Sequence, residues 1–422
     1  MVFPLADYGY TTKQEVIDDA FRYWNPDKTT FWQQEGIPLV IGERSGYVLT
    51  DLDGHQLIDT HLNGGTYNLG HRNPGVIAAL THALEHADVG NHHFPAVART
   101  ALARELVRTA PVGISKAVFG SSGGESIDLA LKSARWATGR RKIVSIEKAY
   151  HGHTGLSLAT GDDRFSRLFL SDRADEFIHV PFNDIAAMAD ALRGDDVAAV
   201  IMETIPATYG FPLPAPGYLE SVFELAHRHG ALYIADEVQT GLMRTGELWA
   251  ITKKGIAPDI LVTGKGLGGG IYPVTAALLG ERAAGWLEID GFAHMATFGG
   301  SEVGSAVALE VLRQTTDPAT VRNVAERSAQ FAAGFAEIRS RYPEVLTGIR
   351  QDGLVVGLEF AEAVGGAKPV MRALYDRGVW AIFSTLDPVV LQFKPGVLID
   401  EGTAARTLAA LEGAVAAVGE GA

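Results

Sequence analysis

Three short stretches of the 422-residue sequence carry residue types that could do chemistry together. In the first, Ser122-Gly123-Gly124-Glu125 follows an apolar run ending at Phe119 and precedes SIDLALKSARWATG, where Ile127, Leu131 and Ala134 recur at helical spacing. Ser122 with Glu125 three positions on is a capping-box pattern, and the two glycines leave N–H groups open at the positive end of a helix. Such a turn cradles a phosphate, and taken alone it is equally an ordinary capped helix. In the second, Asp236 ends the apolar run ALYIA and is followed by EVQTG. A carboxylate at the carboxyl end of a strand can hold a protonated ring nitrogen, or simply cap the next helix. In the third, Lys265 stands in VTGKGLGGG, where Gly264, Gly266, Gly268, Gly269 and Gly270 give the backbone little steric cover. Its amine can therefore reach a bound carbonyl and form a Schiff base. A lone loop lysine is ordinarily a solvated charge; an anion cradle, a strand-end carboxylate and a glycine-framed lysine in this order favour the chemical reading.

The elements that must position these residues are short apolar runs separated by helix-length segments. Lys116–Phe119, Lys142–Ile146, Glu176–Val180, Val197–Met202, Leu232–Ala235, Ile260–Val262 and Val274–Leu279 read as strands. That alternation predicts an α/β fold with a mainly parallel central sheet covered by helices on both faces. Helical spacing also runs from about Val76 to Glu85. Upstream, GYVLTDLDGHQLID reads as a hairpin around Asp53-Gly54. The first forty residues, with Tyr23, Trp24, Phe31 and Trp32, read as an arm that packs on something else. After about Thr315 come a long Ala-rich helix, a strand pair over Gly353–Phe360 and a final amphipathic helix from about Thr403. The expected division is residues 1–60 as arm and hairpin packing with the small domain, 61–315 as the large domain, and 316–422 as a smaller α+β domain.

Composition narrows the function classes. With 36 Lys plus Arg against 50 Asp plus Glu the formal charge is −14, which argues against nucleic acid or an anionic membrane as partner. Hydrophobic residues at 47% and charged residues at 20% are those of a folded globular chain. Glycine, at 48 of 422, exceeds the usual ~7% and signals many tight turns. No cysteine is present, so disulfides, thiolate nucleophiles and Cys-ligated metals are excluded. His92-His93 and the His151/His153 pair lack metal-ligand spacing, so no metal is expected. The start MVFPLADYGY lacks a basic, then apolar leader, and no apolar run reaches the ~18 residues of a membrane span. A cytoplasmic protein is the expectation.

The series of motifs resembles the class III aminotransferases, pyridoxal-phosphate enzymes of fold type I, over nearly the whole chain. GYVLTDLDGHQLIDTHLNGGTYNLGHRNP is similar to the family's N-terminal signature, FGSSGGESIDLALKSAR to its phosphate turn and KAYHGHTG to its ring-stacking segment. YIADEVQTGLMRTGELWA, PDILVTGKGLGGGIYP and MATFGGSE follow in the family's order. The resemblance implies transamination between an amine or amino acid donor and a carbonyl acceptor, an aldehyde, ketone or keto acid. It implies that Lys265 forms the Schiff base with pyridoxal phosphate and then moves the substrate proton, and that Asp236 keeps the pyridinium nitrogen protonated. Tyr150 and Val238 would sandwich the ring, Gln239 would reach its phenolic oxygen, and Ser122, Gly123 and Gly124 would hold the phosphate. His151, after the stacking aromatic, and Glu203, at the end of a strand, complete the cofactor contacts. Thr297 matches a residue the family lends across a homodimer, so the active sites would be shared. A lyase, decarboxylase, epimerase or aminomutase on the same fold is the alternative, because the motifs around the ring do not separate these reactions.

The sequence departs from the family where the substrate binds. Many relatives clamp an α-carboxylate with an Arg in the C-terminal segment; here VVLQFKPGVLID puts Gln392 at that position, and Thr208 replaces the glutamate that neutralises the Arg. Losing both partners together avoids a stranded buried charge. The expected acceptor therefore lacks a glutamate-type clamp, with Lys394 as the nearest cation and Arg244 as a second place to which carboxylate recognition could have moved. Trp32, Tyr67, Gln392 and Lys394 are the candidate pocket residues, Asn63 to Tyr67 adding to its wall. Gly124 for Ala or Thr, Met243 for Gly, Ser301-Glu302 for Asn-Pro and His153 for Arg are the other departures.

Overall fold

All seven apolar runs read as strands form strands, and they join one sheet in the order Ile114–Gly120, Thr275–Gly280, Ile260–Thr263, Leu232–Asp236, Val197–Glu203, Lys142–Ile146, Phe177–Val180. The computed structural model describes residues 4–421; residues 1–3, the start of the expected arm, lie outside them. Thr275–Gly280 runs antiparallel to both its neighbours, and the remaining pairs are parallel. Register matters for the chemistry: Glu203 pairs with Asp236, and Asp236 with Val262, so the two carboxylates end adjacent strands side by side.

The inner strands, such as Val197–Glu203 and Ile260–Thr263, are nearly continuous apolar runs because both faces of the sheet are covered. Ile143, Ile201, Ile234 and Val262 point to one face, packed with Ile127, Leu131 and Ala134 of the helix Gly123–Thr138. Val144, Val200, Ala235 and Leu261 point to the other, against Leu102 and Leu106 of Val97–Thr109, Leu219 and Val222 of Tyr218–Arg228, and Leu312 of Glu302–Thr315.

A third core ties the two ends of the chain together. It unites Tyr47, Leu49 and Leu57 of the N-terminal region with Phe331 and Phe335 of the helix Pro318–Arg341 and Leu411 and Val415 of Glu401–Glu420. The expected hairpin forms as Val48–Asp51 and Gln56–Asp59, with Ile41–Ser45 on one side. On its other side the C-terminal strand Val379–Trp380 adds in parallel. A four-stranded antiparallel sheet, Leu346–Asp352, Val355–Phe360, Asp387–Phe393 and Ile382–Ser384, completes this end. The strand pair expected at Gly353–Phe360 is shifted: Gly353, at φ +64°, lies in the turn, and its first strand lies upstream at Leu346–Asp352. In the arm, Phe31 and Trp32 pack on Phe383 and Trp380, whereas Tyr23 and Trp24 remain exposed. No helix among the described residues is long and apolar enough to cross a membrane.

Candidate active site

At the carboxyl ends of the parallel strands a cavity of about 300 Å³ is lined by Ser122, Gly123, Gly124, Tyr150, His151, Glu203, Asp236, Val238, Gln239 and Lys265. Gly152, His153 and Thr154 also line it. Such a cleft lies where open α/β sheets bind ligands. Ser122 to Gly124, Asp236 with the stretch after it, and Lys265 come from stretches singled out by type and spacing, whereas Tyr150, His151 and Glu203 were expected only from the resemblance. Gly152 and Thr154 were not singled out, although they lie inside KAYHGHTG, and His153 was noted only as a departure from the family.

One wall is the start of the helix Gly123–Thr138. Ser122 Oγ accepts the Glu125 N–H at 3.2 Å, as a cap should. The reciprocal half of the capping box is displaced by one residue: Glu125 Oε2 accepts from the N–H and Oγ of Ser121, at 2.7 and 2.8 Å. The first N–H groups of a helix have no partner within it, so those at Gly123 and Gly124 are available to an anion. The loop across from them approaches so closely that a Cβ on Gly152 would stand 2.6 Å from Gly124 Cα.

The opposite wall is a carboxylate pair. Asp236 is 4% exposed; its Oδ2 lies 2.7 Å from His151 Nδ1 and its Oδ1 accepts the Val238 N–H at 3.0 Å. His151 Nε2 lies 3.4 Å from Ser145 Oγ, so the ring is held at both nitrogens. Next to Asp236, Glu203 accepts the N–H groups of Tyr150 and Ala207 at 3.1 and 3.0 Å. Burial, with the neighbouring Asp236 charge added, pushes the Glu203 carboxyl up to about 7 against the pull of His151. Below the cavity Glu237, also pushed up to about 7 by burial, accepts from Thr204, Thr240 and the amides of Ala250 and Ile251 and locks the loop after the strand.

Lys265 opens a short 3-10 turn, Lys265–Gly268, with φ +43°, a left-handed conformation that costs a non-glycine residue ~1–2 kcal/mol. Its ammonium lies 6.0 Å from the centroid of the Tyr150 ring. Burial lowers its pKa, Arg244 adds to that, and the Asp236 and Glu203 charges oppose it. The lowered value enlarges the fraction of free amine able to attack a carbonyl.

Together these features form an anion cradle at a helix start, an apolar and aromatic slot, a histidine-backed carboxylate and a buried lysine of lowered pKa, facing one space. The match to known proteins agrees with that chemistry. The class-III aminotransferase family model covers residues 31–415. The chain belongs to the class-III aminotransferases. An uncharacterized aminotransferase of Archaeoglobus fulgidus is 40% identical over 394 residues, 93% of this chain and 92% of the relative. The ornithine aminotransferase of Toxoplasma gondii ME49 superposes with a TM-score of 0.90 at 25% identity, over 99% of this chain and 98% of that one. N-acetylornithine aminotransferase from Stenotrophomonas maltophilia K279a gives 0.79 at 26% identity, over 93% and 100%. This class-III aminotransferase is thus a fold type I enzyme that carries out pyridoxal-phosphate-dependent transamination. The residues present fit that cofactor: the helix start matches its phosphate, and the cradle glycines keep clear a space that side chains would fill.

The other sequence candidates do not line the cavity. Thr297 is exposed on a turn outside it. Trp32 packs on Trp380, and Tyr67 lies against His71 with ring centroids 4.0 Å apart. Gln392 and Lys394 are buried; Gln392 Nε2 donates to the Ala207 carbonyl at 3.2 Å, and Gln392 Oε1 accepts from Lys394 Nζ at 2.6 Å. Arg244 is buried too, donating through Nη2 to the Gly65 carbonyl at 2.8 Å.

Proposed function

We propose that this aminotransferase works as a homodimer with shared active sites, moving an amino group from an amine or amino acid to an aldehyde, ketone or keto acid without a bidentate arginine clamp. The observation that carries the reading is the convergence of Lys265, Asp236, Tyr150 and the Gly123-Gly124 helix start on one cavity. Bound there, pyridoxal phosphate supplies an electron sink for the charge that develops on the substrate carbon. The N–H groups of Gly123 and Gly124, with Ser122, hold its phosphate. Tyr150 and Val238 would cover the ring and Gln239 would donate to its phenolic oxygen. Asp236, oriented by His151, keeps a proton on the ring nitrogen, and Glu203 fixes the Tyr150 backbone that carries the stacking ring. Lys265 Nζ would hold the cofactor and would take and return the substrate proton, a role that suits an amine whose pKa is lowered.

The absence of a clamp rests on Gln392 and Thr208. Gln392 is turned to the Ala207 carbonyl, and the Thr208 carbonyl accepts from Leu386 N and Ser384 Oγ. Exposure of Thr297 suits a residue that reaches the partner's phosphate. The same reading takes residues 1–60, 61–315 and 316–422 as the working divisions, and a cytoplasmic setting.

A single-turnover spectrum tests it. Holoenzyme is mixed with glutamate, alanine and uncharged amines, and the cofactor's visible band is followed as pyridoxamine phosphate forms. Rapid conversion by glutamate would sink the argument for a missing clamp. Conversion by other donors with glutamate inert supports it.

A further inference from the structure

Beside the cavity lie buried basic side chains, Lys394 and Arg244, that form no ion pair among the described residues. Lys394 is 0% exposed, and its hydrogen-bond partner among the described residues is Gln392 Oε1, a neutral acceptor. The Phe211 ring lies 5.4 Å from its ammonium. Arg244, 2% exposed, leaves Nη1 without a partner among the described residues, and so does Nδ1 of His61. The two carboxylates close enough to act on Lys394, Asp59 and Glu203, are occupied elsewhere. Asp59 holds His71 and the amides of His61 and Leu62; Glu203 holds those of Tyr150 and Ala207.

One short segment joins this group to the reacting lysine. Lys394 N donates to the Thr60 carbonyl at 2.6 Å, and Arg244 donates to that of Gly65. A Cβ on Gly64 would stand 3.0 Å from both Lys265 Cε and Gln239 Oε1. From Leu62 to Gly65 the backbone is left-handed throughout, at φ 51°, 48°, 68° and 94°. Strain of that kind persists where the surroundings hold a segment for function.

We propose that Lys394, together with Arg244, forms a subsite for an oxyanion on the substrate, a carboxylate or a phosphoryl group, which draws Lys394 away from Gln392. This deepens the reading above and rests on it: the bidentate clamp is replaced by a point charge on a flexible stem. Burial and the charges of Arg244 and Lys265 hold the Lys394 amine toward its neutral form, with Asp59 and Glu203 opposing. An arriving anion is the missing counter-ion and favours the charged amine, so its binding draws a proton from solvent toward Lys394 Nζ.

The test uses holoenzyme and ligands without an amine, so that binding is read apart from transamination. Propionate, ethylphosphonate and the neutral isostere propionamide are titrated by calorimetry, in buffers of different ionisation enthalpy, and by the cofactor's visible band. An anion should bind at least about tenfold more tightly than propionamide with proton uptake, as a charge-assisted contact requires. Preference for ethylphosphonate identifies a phosphoryl substrate, and preference for propionate a carboxylate. Lys394→Met should abolish the preference and leave propionamide unchanged. Equal binding of anion and amide, an unaltered preference in Lys394→Met, or weakening of all three ligands alike would overturn the proposal, the last marking a packing role. In a second arm β-alanine, 2-aminoethylphosphonate and propylamine serve as amino donors. Anion preference without formation of pyridoxamine phosphate from any donor would sink the transamination reading and leave the subsite standing. Formation from propylamine as readily as from the anionic donors, without anion preference in binding, would do the reverse.

Discussion

Replacing Gly152 with alanine tests the cofactor cradle at its narrowest point. The new methyl would stand 2.6 Å from Gly124 Cα and 3.1 Å from Gly124 N, both backbone atoms of the helix start, at a residue whose φ is +120°. Neither neighbour can rotate away, so the strain is that of overpacking plus a forbidden backbone region, about 2–4 kcal/mol. The softest response is for the 150–154 loop to lift off the helix, which widens the phosphate cradle and shifts Tyr150. Cofactor affinity should then fall about 30- to 1,000-fold if that strain is expressed in binding. Gly124→Ala is the matched control. Its methyl would meet Thr154 Oγ1 at 2.7 Å and Ser157 Oγ at 3.3 Å, side-chain ends that can turn, although Thr154 would have to weaken its 3.0 Å bond to Asp128. It should cost about 1 kcal/mol, near fivefold in affinity. Equilibrium titration of apoenzyme with cofactor, followed by the visible band, measures both. Equal affinities in the two variants would refute the reasoning from backbone contact.

Further outcomes are as concrete. Lys265→Ala should lose the visible band of covalently held cofactor and at least ~10³ of turnover, checked by spectrum and half-reaction rate. Asp236→Asn, which leaves His151 Nδ1 without its carboxylate, should lower turnover by a comparable factor while cofactor still binds. For Glu203 the folded pKa of about 7 lies above its ordinary value of 4.5. The carboxyl is therefore neutral in the folded protein below that pH, and ionising it makes the fold less stable as pH rises through 7. The cofactor band should titrate near pH 7, and Glu203→Gln should remove that transition. Thr297→Val should weaken cofactor binding about tenfold, the loss of one hydrogen bond to a charged group, while sedimentation still gives twice 45.0 kDa. A monomer in solution would contradict the shared site.

Much of the fold was legible because the inner strands, covered on both faces, are nearly continuous apolar runs, and the outer ones, such as Lys142–Ile146, still carry a short apolar stretch between helix-length segments. Ser122 to Gly124, Asp236 and Lys265 carried local signatures, a capped helix opening on glycines, a carboxylate ending a strand and a lysine among glycines, whereas Tyr150, His151, Glu203 and Thr297 entered only through the resemblance. What was not legible depends on contacts between distant segments. Nothing local says that Gln392 turns to Ala207 or that Lys394 takes Gln392 as its partner. Leu62 is not a residue that announces a left-handed conformation, although Asn63 and the two glycines after it are compatible with one; tertiary contacts impose it on Leu62. The pairing of His151 with Asp236 joins residues 85 apart, and it emerges only when the loop after Lys142–Ile146 reaches past Val197–Glu203 to the end of Leu232–Asp236. The Glu125 side chain reaches Ser121 because that residue offers two donors, its N–H and its hydroxyl, where the capping box offers one.

The strand Val379–Trp380 beside Gln56–Asp59 has a consequence for how the protein is made. Thr60 hydrogen-bonds Trp380 across 320 residues of sequence. At ~5–20 residues per second the ribosome takes roughly 15–60 s to supply the second strand after the first has left the tunnel. For that interval the hairpin has an open edge and the apolar faces of Leu49 and Leu57 lack the C-terminal helices that bury them. A nascent chain in this state is a target for holding chaperones, and truncation after the large sheet but before residue 379 should leave a product that aggregates.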